Sequence, residues 1–409
     1  MVGMESESES SSLWRYNTFP QRVYRIGFLH PFRAIPRLLQ AVKFPPRTGS
    51  EGDCLFRRLV MLRGWAAAVS CVLGFCLLAG EHKKPYEKGW RKEAKVKAQI
   101  KLSALFEDPH GQTDYNICSK IKIDILVEGK LGGDFKYRLR PAYKMDEPGK
   151  GKLVGSDMYV DYLAFSPLKI RAGKFKYPGS LGAFWSSGKM DFTTRPIMSS
   201  EVRLPQSRDI GIMFYGDALK REVGGRELKL RLYGSVTNGK EGAENEALMY
   251  TARMEFQLKG LFRFGTCYLK NHQHDEWIPT KMDAPYDYVN DLEYGSVDLT
   301  VFLKPCRFGG EFMSGCVEDG ADAFDFEGFY VKAFVGLLKN AEAGVRYELW
   351  DRNRSEHYRT EVITVGVTFF FNPKEPHTAK LQLNWRKLRE GDPTEDDENI
   401  FEVLLQIRF

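Results

Sequence analysis

Phe401-Glu402-Val403-Leu404-Leu405-Gln406-Ile407-Arg408-Phe409 ends the chain, and its reading decides the fold. Phe401, Val403, Leu405, Ile407 and Phe409 share one parity; Glu402, Gln406 and Arg408 share the other with Leu404. Alternation of period two over this length is a β-strand with one apolar and one wet face. By itself such a strand fits a soluble sheet as well as a membrane one. Soluble domains seldom end flush on an exposed aromatic, however, because termini fray. The pattern therefore has to recur if it is to mean more.

It recurs from residue 94 onward. Val96, Ala98, Ile100, Leu102 and Ala104 alternate with Lys95, Lys97, Gln99, Lys101 and Ser103, and Ile121, Ile123, Ile125 and Val127 with Lys120, Lys122, Asp124 and Leu126. Comparable segments lie near 94–105, 117–128, 134–143, 157–165, 167–175, 208–216, 227–237, 248–258, 261–270, 294–304, 306–314, 326–336, 341–351, 359–371, 378–387 and 400–409. That makes sixteen, each close to the ten or so residues that a tilted membrane strand needs. Their connections run long, short, long, short, with 217–226 as the exception on the short side. A barrel with free loops on one rim and tight turns on the other sorts lengths in this way. The expectation is an all-β, transmembrane, antiparallel barrel of about sixteen strands over 94–409. Phe262, Phe264, Tyr268, Phe329, Tyr347, Phe369, Phe371, Trp385, Phe401 and Phe409 fall on the outward parity, several near strand ends where interfacial girdles form.

Composition agrees by exclusion. No run of eighteen apolar residues occurs in the 409, so a multi-helix membrane protein is ruled out. The net charge of +6 is modest, and no nucleic-acid-binding motif accompanies it. The seven cysteines lack metal-ligand spacing and form no disulfide framework.

Upstream, 5–12 is a Ser/Glu low-complexity run, and 64–80 is an uncharged segment preceded by Arg57, Arg58 and Arg63. A positive flank, a short apolar core and small residues at the end make a secretory signal peptide over 61–80. Its internal position implies a translation start near Met61, with 1–60 a mis-assigned or disordered extension. An N-terminal anchor helix is the other reading.

No catalytic constellation stands out, and no cofactor motif is present, so an enzyme is not expected. His272-Gln273-His274-Asp275-Glu276 invites a metal reading, but a solvated loop accounts for it without one, and no second cluster supplies further ligands. No metal site is assigned. The informative residues are those of the polar parity: Lys97, Lys101, Lys120, Lys122, Arg138, Arg140, Lys169, Arg171, Lys229 and Arg231, with fewer acids among them. In a barrel this parity faces the lumen, where a net positive wall favours anions over cations. Local pairing, giving weak or no selectivity, is the alternative. The connection 176–207 is the longest and carries Lys189, Arg195 and Arg203. It either folds inward to narrow the channel or stands as a flap on the outer rim.

Local sequences then become specific. Ala172-Gly173-Lys174-Phe175-Lys176-Tyr177-Pro178, Ser186-Ser187, Met190-Asp191-Phe192, Arg208 to Gly216 and Val236-Thr237-Asn238-Gly239 resemble the phosphate-selective porin O and P family, as does the end from Lys380. The last strand is similar to the closing strand of bacterial outer-membrane barrels, whose terminal aromatic, here Phe409, is read by the barrel-assembly machinery. The resemblance implies a bacterial outer-membrane location among lipids, a homotrimer, and a third outer loop folded into the pore. It also implies passage of small anions such as phosphate or polyphosphate. A plugged structural or adhesive barrel is the second functional class.

Overall fold

The computed structural model describes residues 92–108, 114–147, 150–165, 167–202, 207–239, 248–272, 291–319, 322–354, 359–391 and 397–408. All of them belong to one unit, Cys54–Phe409. The extension 1–60, the segment 61–80, Arg203, the cluster 273–276 and Phe409 lie outside the described residues.

Sixteen strands follow one another in order. They begin with β1 (Lys92–Asp108), β2 (Asp114–Leu131), β3 (Phe135–Glu147), β4 (Lys150–Tyr162) and β5 (Leu168–Lys176). Then come β6 (Arg208–Val223), β7 (Arg226–Thr237), β8 (Met249–Leu258), β9 (Phe262–His272), β10 (Asp291–Leu303) and β11 (Cys306–Asp319). The last are β12 (Asp322–Leu338), β13 (Ala341–Asp351), β14 (Arg359–Phe370), β15 (Ala379–Arg389) and β16 (Glu398–Arg408). Each pairs antiparallel with its neighbours in sequence, and β16 returns to β1, so the sheet closes. Closure leaves no sheet edge, as a bilayer requires.

The distribution of polarity is the reverse of that in a soluble domain. On β10, Val297 and Leu299 are exposed at 46% and 45%, whereas Ser296, Asp298 and Thr300 are buried. Phe308 and Phe312 on β11, Val331 and Val335 on β12, and Val365 and Phe369 on β14 are likewise exposed. Arg346, Glu348, Lys380, Gln382 and Gln406 on neighbouring strands are buried inside. Outward apolar side chains meet lipid, and inward polar ones meet each other. Outward aromatics group near strand ends: Phe106 with Phe401, their ring centroids 6.0 Å apart, and Phe135 with Tyr162 and Phe165.

Several strands run further than alternation alone predicts. Residues 144–156, expected as a loop, are mostly strand: β3 continues to Glu147 and β4 begins at Lys150. The segment 315–325 is nearly all strand as well, in β11 and β12. The apparent exception at 217–226 resolves into a hairpin, with β6 and β7 paired down to Val223↔Arg226. Its two-residue turn is Gly224-Gly225, with φ of 56° and 70°. A two-residue turn of this hand needs φ > 0 at both positions, which only glycine adopts freely. With that hairpin assigned, the longest connection on the short-turn rim is 371–378 between β14 and β15.

Candidate functional site: the narrowed lumen

The loop after β5, the third on the long-loop rim, lies inside the barrel. Its entry is fixed locally. Ser180 caps the short helix α1 (Leu181–Phe184), its hydroxyl accepting from Ala183 N. The first amides of a helix have no partner within it, and here Glu311 on β11 supplies one. Its carboxylate accepts from Leu181 N at 2.7 Å and from Gly182 N at 3.2 Å. A second short helix, α2 (Ile197–Glu201), is received in the same way by Glu348 on β13, which accepts from Ile197 N at 2.6 Å.

Between the helices lies the third anchor. The buried Asp191 carboxylate accepts from Arg307 on β11 at 2.6 Å and from Lys332 on β12 at 2.7 Å. Burial alone would raise its pKa, but Lys332 and Arg307 outweigh it and hold the carboxyl well below the usual carboxylate range. Apolar contacts complete the docking. Phe192 packs on Phe334 and Phe184 on Tyr233. Tyr177, Met198 and Val202 enter a cluster with Met249, Leu269, Tyr294, Met313, Phe326 and Trp350, whose side chains point inward from β8 to β13. That inward apolar patch is the signal that sequence reading missed: on those strands the wet parity carries Tyr, Met, Phe and Trp.

The loop thus lies mainly against β8 to β16, touches β1 and β7 at its margins through Lys101 and Tyr233, and leaves the wall between them facing the passage. On the facing wall, β1 to β7, carboxylates are shared. Glu128 takes Lys97 at 2.9 Å, Arg138 at 2.9 Å and Lys136 at 4.0 Å. Asp124 takes Lys122 and Arg140, Asp157 takes Arg140 and Arg208, and Asp217 takes Lys229 and Arg231. Asp161 holds Arg171 at 2.7 Å, and the Arg171 guanidinium also lies 3.7 Å from the Tyr159 ring centroid. In these pairs nine cations meet five carboxylates, an excess of four positive charges. Lys169 stands over the Tyr215 ring, and Lys120 and Lys189 are exposed.

Two cations expected to face solute are placed differently. Lys101 is buried and donates to Ser187 O at 2.7 Å. Arg195 turns back into its own loop, donating to Gly182 O and to Trp185 O. Both cations hold backbone. Sequence offered no warning, because which carbonyl a lysine meets depends on where the loop's main chain runs. His377, in the turn 371–378, is pushed down to about 4, by burial first and then by Lys380 and Lys189, so it is neutral at physiological pH. Among the described residues, no group of three or more His, Cys, Asp or Glu side chains could hold a metal ion.

The sequence model of the family described as phosphate-selective porin O and P matches residues 120–218, which run from β2 through the loop into β6. No curated protein sequence matches the chain. Among solved structures, the anion-selective porin from Comamonas acidovorans superposes with a TM-score of 0.58 at 10% identity, covering 78% of this chain and all of that one. Outer-membrane expressed OmpT of Vibrio cholerae gives 0.52 at 9% identity, over 80% of this chain and 100% of its own. The outer membrane channel DcaP of Acinetobacter baumannii gives 0.50 at 10%, over 78% and 97%. Identities this low speak for the fold alone; the family match adds the sequence evidence. The chain is a closed sixteen-stranded barrel with the fold of these porins, placed in the bacterial outer membrane and similar over residues 120–218 to the family described as phosphate-selective porin O and P.

Proposed function

We propose that this porin is a passive diffusion channel preferring small anions, phosphate and polyphosphate among them. The observation that carries the reading is the division of charge between the two walls. On the docked side the acids Asp191, Asp298, Glu311 and Glu348 are matched by Arg253, Arg307, Lys332 and Arg346, whereas the described pairs of the facing wall hold more base than acid. The residues facing solute are Lys97, Lys120, Lys122, Arg138, Arg140, Lys169, Arg171, Lys189, Lys229 and Arg231. Lys101 and Arg195 act through the loop. A fixed positive field in a narrow passage raises the local anion concentration, and salt screens it.

In a planar bilayer under a potassium chloride gradient, the reversal potential should lie on the anion side, and more so in dilute salt. A cation-side value sinks the reading. Phosphate should also reduce the chloride current; if it does not, general anion diffusion stands without phosphate preference. No steady open current would instead favour a plugged, structural barrel.

The assembly we propose is a homotrimer, for which the trimer form reported for OmpT of Vibrio cholerae is the precedent among similar folds. Unheated detergent electrophoresis should give a band near three times the monomer mass, and a monomer band alone would count against it.

A further inference from the structure

Fifteen of the sixteen strand contacts join strands that are neighbours in sequence. The β1–β16 contact joins the first and last strands and has no connecting turn, so only its ladder and its side chains hold it. The tip of the constriction loop lies across this seam. Lys101 on β1 donates to Ser187 O at 2.7 Å, and Gln406 on β16 donates to Gly188 O at 3.2 Å. Lys101 and Gln406 stand directly opposite each other in the seam ladder. On the next strand, β15, Lys380 is opposite Gln406 and donates to Met190 O at 2.8 Å, and Gln382 donates to Asp191 O at 2.7 Å. The following cross-seam pair, Gln99↔Arg408, is also touched: a Cβ at Gly188 would stand 3.0 Å from Gln99 Nε2 and 3.0 Å from Arg408 Nη2. Glycine at 188 lets the backbone come down onto that pair.

We infer that loop residues 187–191 form a clasp over the closure seam, with Lys101 and Gln406 as positioning residues that tie the constriction to barrel closure. The seat is complete only when β1 has zipped onto β16. Once seated, the loop bonds both strands and opposes their separation. Lys101 is buried, so its amino group has little access to water and relies on the carbonyl it meets. The inference is independent of which ions the channel prefers, because it concerns backbone carbonyls and donors that the loop covers.

The test compares two ways of loosening the loop. Lys101→Met with Gln406→Leu removes the cross-seam donors at nearly constant length. Phe184→Ala loosens the loop where it packs on Tyr233 of β7, away from the seam. Both should raise open-channel noise. The seam variant alone should lower the temperature at which the folded electrophoretic band converts to the unfolded one, by on the order of 5 °C. A disulfide between Ala104→Cys and Val403→Cys, which face each other across the seam, should restore that temperature but not the quiet current. Lys101→Arg keeps a donor and should restore both in part. Should the double variant fail to assemble, Gly188→Ala crowds the same tip with every donor retained and is read in the same way. A seam variant converting at the wild-type temperature, or an equal fall for Phe184→Ala, overturns the inference.

Discussion

Replacing Asp191 with alanine should release the constriction loop, giving a larger and noisier single-channel conductance than wild type. The reason is what the substitution leaves behind. Arg307 at 2.6 Å and Lys332 at 2.7 Å lose their shared counter-ion in a site where Lys332 is only 8% exposed. Removing one partner of a buried pair costs about 3–5 kcal/mol, mostly from the charge left unpaired. Charged to the docked state alone, that raises the undocked fraction by roughly a hundredfold or more. Asp191→Asn keeps the shape and loses the charge, so it should sit between the two. A quiet current of wild-type size from Asp191→Ala would show that the Glu311 and Glu348 anchors hold the loop unaided.

The same carboxylate fixes a pH expectation. Its pKa is lowered in the docked state relative to the roughly 3.9 of a free aspartate. A lowered folded-state pKa contributes stability that is full above the free value and is lost as pH falls through the lowered one. Through this anchor, conductance should stay flat from neutral pH down to about 4. Loop noise that rises already between pH 6 and 5 would have to come from another group.

The second large effect concerns selectivity. Lys120 and Lys189 are exposed and make no ion pair among the described residues, so both can be changed without unmaking structure. Lys120→Glu with Lys189→Glu moves the net charge by four units, the size of the positive excess counted in the pairs of the facing wall. The reversal potential should cross toward the cation side in dilute salt and converge with wild type in concentrated salt. An unchanged reversal potential would mean that these lysines lie outside the ions' path. Arg195→Glu should behave differently: it removes donors to Gly182 O and Trp185 O, so noise should rise before selectivity moves.

Most of the barrel was legible because lipid enforces parity. Val297 and Leu299 had to face hydrocarbon, and Asp298 could not, so the register of β10 could be read without coordinates. Where lipid ends, that constraint ends. The tops of β3 and β4, and the β6–β7 hairpin near Lys220 and Glu227, carry polar residues on both faces and read as loop. Length left the loop open between an inward fold and a flap on the rim, and only the resemblance implied the inward fold. Its docking surface was written as breaks in alternation, with Tyr294, Met313, Phe326 and Trp350 at lumen positions. The seats of Lys101 and Arg195 left no trace, since a carbonyl partner imposes nothing on local sequence.

The inverted polarity of the wall has a consequence for how such a protein can be altered. Successive residues of a strand belong to different environments, and a substitution at one parity does not enter the other. Val297, Leu299, Val331 and Val365 answer only to the solvent outside, whereas Asp298, Lys332 and Thr364 answer only to the contents within. Drift in membrane composition and drift in transported solute therefore act on interleaved but separable sets of codons. A chain of this kind can change its habitat while keeping its cargo, or its cargo while keeping its habitat.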